Sequence, residues 1–200
     1  MRAKDPTAAR ARGEGWLHFR KWLRHGRSVA ALTPSGRALA VASCGRIDRE
    51  RPQVIVELGA GTGAVTRAAA ARMHPDGRLI AIEQDPDFAR MLGASVPRAE
   101  VVCGSAEDFA GILDARGITA VDVVLNGLPT PSLPAAVRDR IYRDLSSLPG
   151  RPWVSQITVM PWVFQRFYRG FFEEVSFEPA WANLPPGGVY HCRGLRVAAA

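Results

Sequence analysis

A glycine-rich turn directly after a buried strand is the feature that most restricts how this chain folds. The run "QVIVEL" (53–58) is apolar and β-branched, as a strand covered on both faces requires. The stretch "VELGAGTGAVT" (56–66) then leads into an alanine-rich helix. Its three glycines allow a tight turn and let a ligand approach the backbone where a Cβ would collide. A strand, a glycine turn and a helix in this order predict a cofactor site at the end of a parallel sheet.

The rest of the chain alternates between strands and helices. Four more strands are predicted from apolar runs at 78–83, 100–104, 120–126 and 153–160. Two later runs, 174–184 and 187–197, are joined through Pro-Pro-Gly-Gly and predict an antiparallel hairpin. We therefore predict an α/β, Rossmann-like doubly wound fold. It has a seven-stranded, mostly parallel sheet, an antiparallel C-terminal hairpin and helices on both faces.

Two cofactor classes fit the glycine turn. Gly59, Gly61 and Ala64 also match the G-x-G-x-x-A pattern of dinucleotide-binding proteins, so the glycines alone do not separate NAD from S-adenosylmethionine. Glu57 favours S-adenosylmethionine, because a carboxylate attracts its cationic amino-acid end and repels a pyrophosphate. The arrangement Glu57-x-Gly-x-Gly-x-Gly resembles motif I of class I S-adenosylmethionine-dependent methyltransferases.

The predicted cofactor contacts lie on the loops that follow the strands. Glu83 ends the second predicted strand, where a carboxylate accepts hydrogen bonds from ribose hydroxyls, a role shared with NAD-binding folds. Ser105 is placed beside the adenine, where the superfamily often has an acidic residue; a helix N-cap is the alternative interpretation. The predicted set is Glu57, Gly59, Ala60, Gly61, Thr62, Gly63, Glu83, Gln84, Ser105, Ala106, Glu107 and Asn126.

The charge of the chain is concentrated at its N-terminal end. Residues 1–37 contain nine Lys and Arg against two acidic residues, and the remainder has 17 of each, so the net charge of +7 arises here. A helix over 16–27 separates an apolar face from a basic face. The predicted membrane-binding residues on these two faces are Trp16, Phe19, Trp22 and Leu23, and Arg20, Lys21, Arg24 and Arg27. Such a helix docks on a domain core or lies on a polyanion, either an anionic bilayer or nucleic acid.

The sequence also predicts the domain limits and the redox state of the compartment. We predict a basic amphipathic extension over residues 1–50 and the catalytic domain over residues 51–200. Cys44, Cys103 and Cys192 are odd in number and lack metal-ligand spacing, which indicates a reduced compartment and no metal site. No apolar run approaches the length of a membrane span, and no secretory signal precedes the first charges.

The loop after the fourth predicted strand bears on the methyl acceptor. Asn126, followed by Pro129, has some similarity to the Asn-x-Pro-Tyr motif of N6-adenine methyltransferases. The spacing is one residue longer, and no aromatic residue follows the proline to stack a flipped base. These two differences count against an adenine acceptor. We keep an RNA adenine methyltransferase with a basic RNA-binding arm as an alternative to the function that the whole chain suggests below. A non-enzymatic membrane-binding protein is a third, disfavoured because Glu57, the glycines and Glu83 are intact.

From about residue 19 to 191, the chain resembles the soluble bacterial phospholipid N-methyltransferases. The matching stretches are "FRKWLR", "ALTPSGRAL", "VELGAGTG", "AIEQDPDFAR", "GLPTPSLP", "WANLPP" and "VYH". That family converts phosphatidylethanolamine to phosphatidylcholine with S-adenosylmethionine, which becomes S-adenosylhomocysteine. The resemblance implies a cytoplasmic enzyme that binds the inner face of the cell membrane peripherally and reversibly. We further expect the amphipathic helix to act as a lid over the cofactor, with Thr33, Pro34 and Ser35 closing near its methionine end.

Methyl transfer to an amine needs a neutral nitrogen, so a proton acceptor or a water path is required. Tyr168, Tyr190, His191 and Glu107 are the candidates, Asn126 could orient the nitrogen, and the sequence does not choose among them. Tyr190 and His191 equally fit as strand residues of the hairpin. The aromatic residues at helical spacing between 164 and 171 form either core packing or an apolar wall for acyl chains.

Overall fold

The computed structural model describes residues 34–160, 162–181 and 187–196. Within these ranges lies one mixed sheet of seven strands in the order β3-β2-β1-β4-β5-β7-β6. The strands are β1 (Val54–Leu58), β2 (Arg78–Glu83), β3 (Glu100–Cys103), β4 (Val123–Asn126), β5 (Trp153–Thr158), β6 (Phe172–Ala180) and β7 (Gly187–Leu195). The first five strands pair in parallel, and β7 lies antiparallel between β5 and β6. The predicted seven-stranded fold with its antiparallel hairpin is confirmed.

Helices cover both faces of the sheet, also as predicted. They are α1 (Pro34–Ser43), α2 (Ala64–Arg72), α3 (Pro86–Ser95), α4 (Phe109–Asp114), α5 (Ala135–Ser147) and α6 (Gln165–Phe171). One core joins α1, α2 and α3 to the sheet through side chains such as Ala40, Ala69 and Leu92. The other core holds aromatic residues of α4 and α6, including Phe109 and Tyr168. Because both faces are covered, the central strands are mainly apolar instead of alternating, with buried polar exceptions such as Glu57 and Gln156.

The helix that precedes the sheet is part of this packing. α1 buries Leu39 and Ala40, and it contacts α2 and the last three strands. The predicted extension over residues 1–50 therefore has a described portion that packs on the sheet. Residues 1–33, which include the predicted amphipathic helix, lie outside the described residues, so the division at residue 50 stays a prediction.

The described helices are short. None of them, within the ranges given above, is long and apolar enough to cross a membrane. The three cysteine thiols are free, with Cys44 and Cys192 buried and Cys103 exposed. Burial raises the pKa of Cys44 and of Cys192 to about 12, so both thiols remain protonated at neutral pH.

Candidate active site

The glycine turn lies between β1 and α2, at the carboxyl edge of the sheet. Gly59, Gly61 and Gly63 all have positive φ angles, of 74°, 55° and 81°. This left-handed conformation is strained for residues that carry a Cβ, which explains the glycines. The N–H of Gly59 donates to the carbonyl oxygen of Ile82 at 2.9 Å, so the start of the turn is tied to the neighbouring strand.

Glu83 ends β2 beside this turn. One carboxylate oxygen accepts a hydrogen bond from the Gly61 N–H at 2.6 Å, and the other accepts one from the Asp85 N–H at 2.9 Å. The carbonyl oxygen of Glu83 accepts a third, from the Gly104 N–H after β3. Glu83 thereby joins three loops at the same edge and places an acceptor-only side chain where hydroxyl donors are expected to bind.

Glu57 lies deeper, near the end of β1, and is 1% exposed. One carboxylate oxygen accepts a hydrogen bond from the Thr66 hydroxyl at 2.6 Å, which fastens α2 to the strand. Its negative charge also contributes to the raised pKa of the Cys44 thiol, after burial. Glu57 thus has a structural partner, and its predicted attraction for a cationic cofactor end stays a prediction.

The turn after β3 gives Ser105 a capping role. Its hydroxyl accepts a hydrogen bond from the Glu107 N–H at 3.2 Å, at the start of a 3-10 turn over Ala106–Asp108. The N-cap interpretation is confirmed. Gln84 is exposed after β2, while Ala106 and Glu107 are half-buried. The contacts of Ser105, Ala106 and Glu107 with an adenine ring, and of Gln84 with the cofactor, remain predictions.

A cavity of about 330 Å³ opens beside the glycine turn. It is lined by the turn itself, by α1, by the loop after β4, by the end of β5 and by Phe164 and Tyr168. Most of these side chains are apolar, and the described lining contains no carboxylate, ammonium, guanidinium or imidazole group. The cavity therefore joins the cofactor turn to a largely apolar space.

Asn126, Thr130 and Gln156 form a buried polar network under this cavity. The Asn126 side-chain amide donates to the Thr130 hydroxyl at 3.0 Å, and its carbonyl oxygen accepts from the Leu128 N–H at 3.1 Å. The Thr130 hydroxyl donates to the Gln156 carbonyl oxygen at 2.7 Å. Both ends of the Asn126 amide are bonded inside the turn, and each keeps a further hydrogen-bonding position, so its predicted role in orienting the amine stays a prediction. In the structure Asn126 shapes the loop after β4.

Gln156 is the residue that sequence reasoning missed. It lines the cavity, and its amide nitrogen lies 2.8 Å from the carbonyl oxygen of Leu128. Polar residues at 155, 156 and 158 interrupt an otherwise apolar strand, and this interruption was the available signal. A buried amide requires partners, so its presence in a central strand indicates a fixed polar network.

Tyr168 and Tyr190 pack against each other, with ring centroids 4.9 Å apart, and both are almost fully buried. Tyr168 lines the cavity, whereas Tyr190 is not among its lining residues. Burial raises the pKa of both hydroxyls, and for Tyr190 the nearby backbone N–H groups of Trp162 and Phe164 offset part of the rise. Both hydroxyls stay protonated at neutral pH, which disfavours these two of the four candidate proton acceptors.

His191 lies on the other face of the sheet. Adjacent residues of a strand point to opposite faces, and Tyr190 occupies the face of the aromatic core. The His191 ring is held between the Ser155 hydroxyl, at 2.9 Å from Nδ1, and the Glu178 carboxylate, at 3.1 Å from Nε2. His191 is not among the described residues of the cavity lining, which disfavours it as a candidate proton acceptor and agrees with the alternative that it is a strand residue of the hairpin.

Several predicted residues cannot be placed. Ser35 belongs to α1, but its side chain lies outside the described part of the chain. The predicted membrane-binding residues also lie outside it; they are Trp16, Phe19, Arg20, Lys21, Trp22, Leu23, Arg24 and Arg27.

Comparison with known proteins identifies the class of enzyme. No protein-family model matches the chain. The ornithine lipid N-methyltransferase of Singulisphaera acidiphila is 44% identical over 185 residues, which cover 90% of this chain and 96% of that protein. The chain belongs to the class I S-adenosylmethionine-dependent methyltransferases. The Azoarcus sp. ribosomal RNA small subunit methyltransferase H is 40% identical over 87 residues, but these cover only 28% of its length.

Solved structures share the methyltransferase fold. The Burkholderia thailandensis 1,6-didemethyltoxoflavin-N1-methyltransferase, with S-adenosylhomocysteine bound, matches with a TM-score of 0.62. Its sequence identity is 16%, and the match covers 98% of this chain and 93% of that chain. Human methyltransferase-like protein 13 in complex with SAH matches with a TM-score of 0.56, at 16% identity, over 81% and 80% of the two chains.

The cofactor turn of this methyltransferase fits S-adenosylmethionine. Glu83 places its carboxylate oxygens beside the turn, where ribose hydroxyls are expected to bind, and the positive φ angles of the glycines form the tight turn that such a cofactor requires. Ala60 and Thr62 of the turn border the cavity, so the turn opens directly onto the apolar space. The predicted cofactor is therefore confirmed at the level of the family and is consistent with the residues present.

Proposed function

We propose that this methyltransferase transfers a methyl group from S-adenosylmethionine to the primary amine of a membrane aminolipid, and that this lipid is an ornithine lipid. The observation that carries the proposal is the 44% identity across 96% of the Singulisphaera ornithine lipid N-methyltransferase. The apolar cavity beside the cofactor turn supports it, because a lipid headgroup enters such a space together with the first part of its chains.

The cofactor, when bound, supplies an electrophilic methyl group on a sulfonium. The nitrogen lone pair of the lipid forms the new C–N bond while the C–S bond breaks, and the nitrogen loses one proton. This chain contributes by positioning the lipid amine against the methyl group and by providing an apolar cavity, and positioning and desolvation are the main requirements of such a transfer. The Asn126–Thr130–Gln156 network holds the loop that forms one wall of the cavity.

The proton leaves the amine before the transfer. No described residue of the cavity lining titrates near neutral pH, because Tyr168 is held protonated by burial. An apolar environment disfavours an ammonium ion and lowers the pKa of a buried amine, so the neutral form is favoured on entry. The amine therefore gives its proton to bulk water as it enters the cavity.

Phosphatidylethanolamine is the second candidate substrate, supported by the sequence stretches shared with phospholipid N-methyltransferases. Both lipids present a primary amine on a short flexible arm. They differ in the neighbouring anion, which is a carboxylate in ornithine and a phosphodiester in phosphatidylethanolamine. Phosphatidylcholine as the final product belongs to this second candidate.

Ribosomal RNA is disfavoured as the acceptor. A residue that stacks on a flipped base is expected after Pro129, and Thr130 occupies that position. The Thr130 side chain is buried, and its hydroxyl is bonded to Gln156. The similarity to the ribosomal RNA enzyme is also limited to 42% of this chain.

The test uses purified protein, S-adenosylmethionine with a radiolabelled methyl group, and two sets of vesicles. One set contains ornithine lipid and the other phosphatidylethanolamine, each mixed with the same anionic lipid. We expect label in the ornithine lipid, at least tenfold faster than in phosphatidylethanolamine. The opposite preference would replace the first substrate by the second. Label in neither lipid, but in added ribosomal RNA, would overturn the proposal.

A further inference from the structure

An exposed apolar surface borders the mouth of the cavity. It is formed by the end of β5, the segment before α6 and the turn after β6, and we call it the apolar rim. Its members are Val159, Met160, Trp162, Val163 and Trp181, which are 48–70% exposed. These are five of the seven large apolar side chains exposed among the described residues. Such clustering marks an interaction surface, whereas single exposed apolar residues do not.

The rim is continuous with the cavity. Val159 and Met160 belong both to the exposed surface and to the cavity lining. The Trp162 ring lies 6.3 Å from the Trp181 ring and 6.0 Å from the Phe177 ring, so the two exposed tryptophans form one patch. An apolar chain that leaves the cavity therefore meets an apolar surface at its mouth.

The backbone holds Trp162 in an unusual conformation. Its φ angle is 67°, in the left-handed region that bulky side chains rarely occupy. The side chain is nevertheless 59% exposed, so burial of the ring inside this chain does not explain the conformation. Non-glycine residues held in this way cluster at functional sites, which favours a partner for the ring.

Positive charge accompanies the rim. Arg166 and Arg169 follow it on α6, and both are exposed. Neither forms an ion pair with a carboxylate within the part of the chain that the structure describes. Tryptophan beside exposed arginine is the composition of protein surfaces that lie at the headgroup level of an anionic bilayer.

We propose that the apolar rim enters the surface of an anionic bilayer, so that a lipid reaches the cavity headgroup first from its own leaflet. This inference rests on the proposed function, because it assumes that the substrate is a membrane lipid. A second copy of this chain on the same surface would bring the exposed Arg166 and Arg169 of one copy towards those of the other. Protein bound there would also cover the mouth of the cavity. An anionic bilayer supplies negative charge for both arginines and also delivers the lipid substrate to the cavity.

The test compares two serine double variants of the full chain. Trp162→Ser/Trp181→Ser removes the rim's tryptophans, and Val41→Ser/Met91→Ser removes two similarly exposed side chains elsewhere. Binding is measured by cosedimentation with vesicles that contain phosphatidylglycerol, without methyl donor. We expect the rim variant to bind at least tenfold more weakly and the control to bind like wild type. Calorimetry should give the same affinity for S-adenosylhomocysteine in wild type, the rim variant and the control variant. If the rim double variant misfolds, the single variant Trp181→Ser takes its place.

The outcomes separate this inference from the proposed function. Wild-type vesicle binding by the rim variant would overturn the inference and assign membrane contact to residues 1–33. A rim variant that changes the oligomeric state but not vesicle binding would also overturn it, in favour of a second copy. Weaker vesicle binding by the rim variant, with no methyl label in any lipid, would retain the rim and overturn the proposed substrate.

Discussion

At the residue scale, two carboxylates near the glycine turn have different roles because their surroundings differ. Glu83 lies at the edge of the sheet and accepts hydrogen bonds from two loop N–H groups. Glu57 is buried one strand away and accepts a hydrogen bond from Thr66 on α2. The sequence predicts both carboxylates as cofactor ligands, since their spacing from the glycines fits. It cannot predict that Glu57 also fastens a helix, because that contact depends on how α2 packs.

Replacement of Glu83 by Gln tests the cofactor site directly. The variant keeps the size of the side chain but loses the charge and one acceptor position. Hydrogen bonds to a charged group contribute about 1.5–3 kcal/mol, so affinity for S-adenosylhomocysteine should fall about 10- to 100-fold. Isothermal titration calorimetry measures this. Glu100→Gln, at the far end of β3, is the control; equal affinities in the two variants would remove Glu83 from the site.

The buried network under the cavity gives a second prediction. Thr130→Ser keeps the hydroxyl that donates to Gln156, whereas Thr130→Val removes it and leaves the Gln156 carbonyl oxygen without its partner. We expect Thr130→Val to lower kcat/KM for the lipid at least tenfold, with cofactor affinity unchanged within twofold. Thr130→Ser should remain within threefold of wild type. Equal activity of the two variants would show that the network does not shape the cavity.

At the scale of elements, the apolar runs predict the strands well and the polar residues within them poorly. β1, β2, β4 and β5 lie within the predicted runs. A short, continuous apolar run is buried on both faces when it forms a central strand of a parallel sheet, so such runs predict these strands well. Alternation along β7 places Tyr190 and His191 on opposite faces, but it does not say which face borders the cavity. That choice depends on β7 inserting between β5 and β6, which is a long-range contact.

His191 couples the stability of these three strands to pH. Burial lowers the pKa of His191, and the hydrogen bond to Glu178 offsets this only in part. The unfolded chain therefore binds a proton near pH 6.5 that the folded chain binds only at lower pH. The free energy of unfolding should fall as the pH is lowered from 7.5 to 5.5, by at most about 1.4 kcal/mol per pH unit from this residue.

Denaturant unfolding at several pH values measures this dependence. His191→Gln loses the titrating ring, so its free energy of unfolding should change less between pH 7.5 and 5.5 than that of wild type. Wild type and variant are each compared with their own value at pH 7.5, which removes any constant loss of stability. Parallel curves for the two proteins would mean that His191 does not carry the pH dependence.

At the scale of the whole molecule, the site is an apolar cavity at the carboxyl edge of the sheet, open towards an exposed apolar rim. The sequence predicts this edge from the glycine turn and the loop after β4. It does not predict the cavity, because Phe164 and Tyr168 reach it only through the packing of α6 and the residue before it against β6 and β7. The positive charge of residues 1–37 and the rim are two separate features by which the chain would bind an anionic bilayer.

The absence of a titrating base from the described cavity lining predicts the pH profile of the reaction. The logarithm of kcat/KM for the lipid should rise with pH from 6 to about 9 with a slope near one, following deprotonation of the amine. Tyr168→Phe should give the same profile and stay within about threefold of wild type, because its hydroxyl remains protonated throughout. A plateau beginning near pH 7 would instead indicate a group on the enzyme that accepts the proton.

The central claim is that the methyl group arrives on the headgroup nitrogen of a membrane lipid, and one measurement tests it most directly. Wild type and Glu83→Gln are incubated with S-adenosylmethionine that carries a deuterated methyl group and with vesicles of ornithine lipid. The lipids are then extracted and fragmented in a mass spectrometer. The account predicts deuterated methyl on the headgroup amine with wild type and much less with the variant. Unlabelled lipid in both samples, with S-adenosylhomocysteine tightly bound by wild type, would contradict the account.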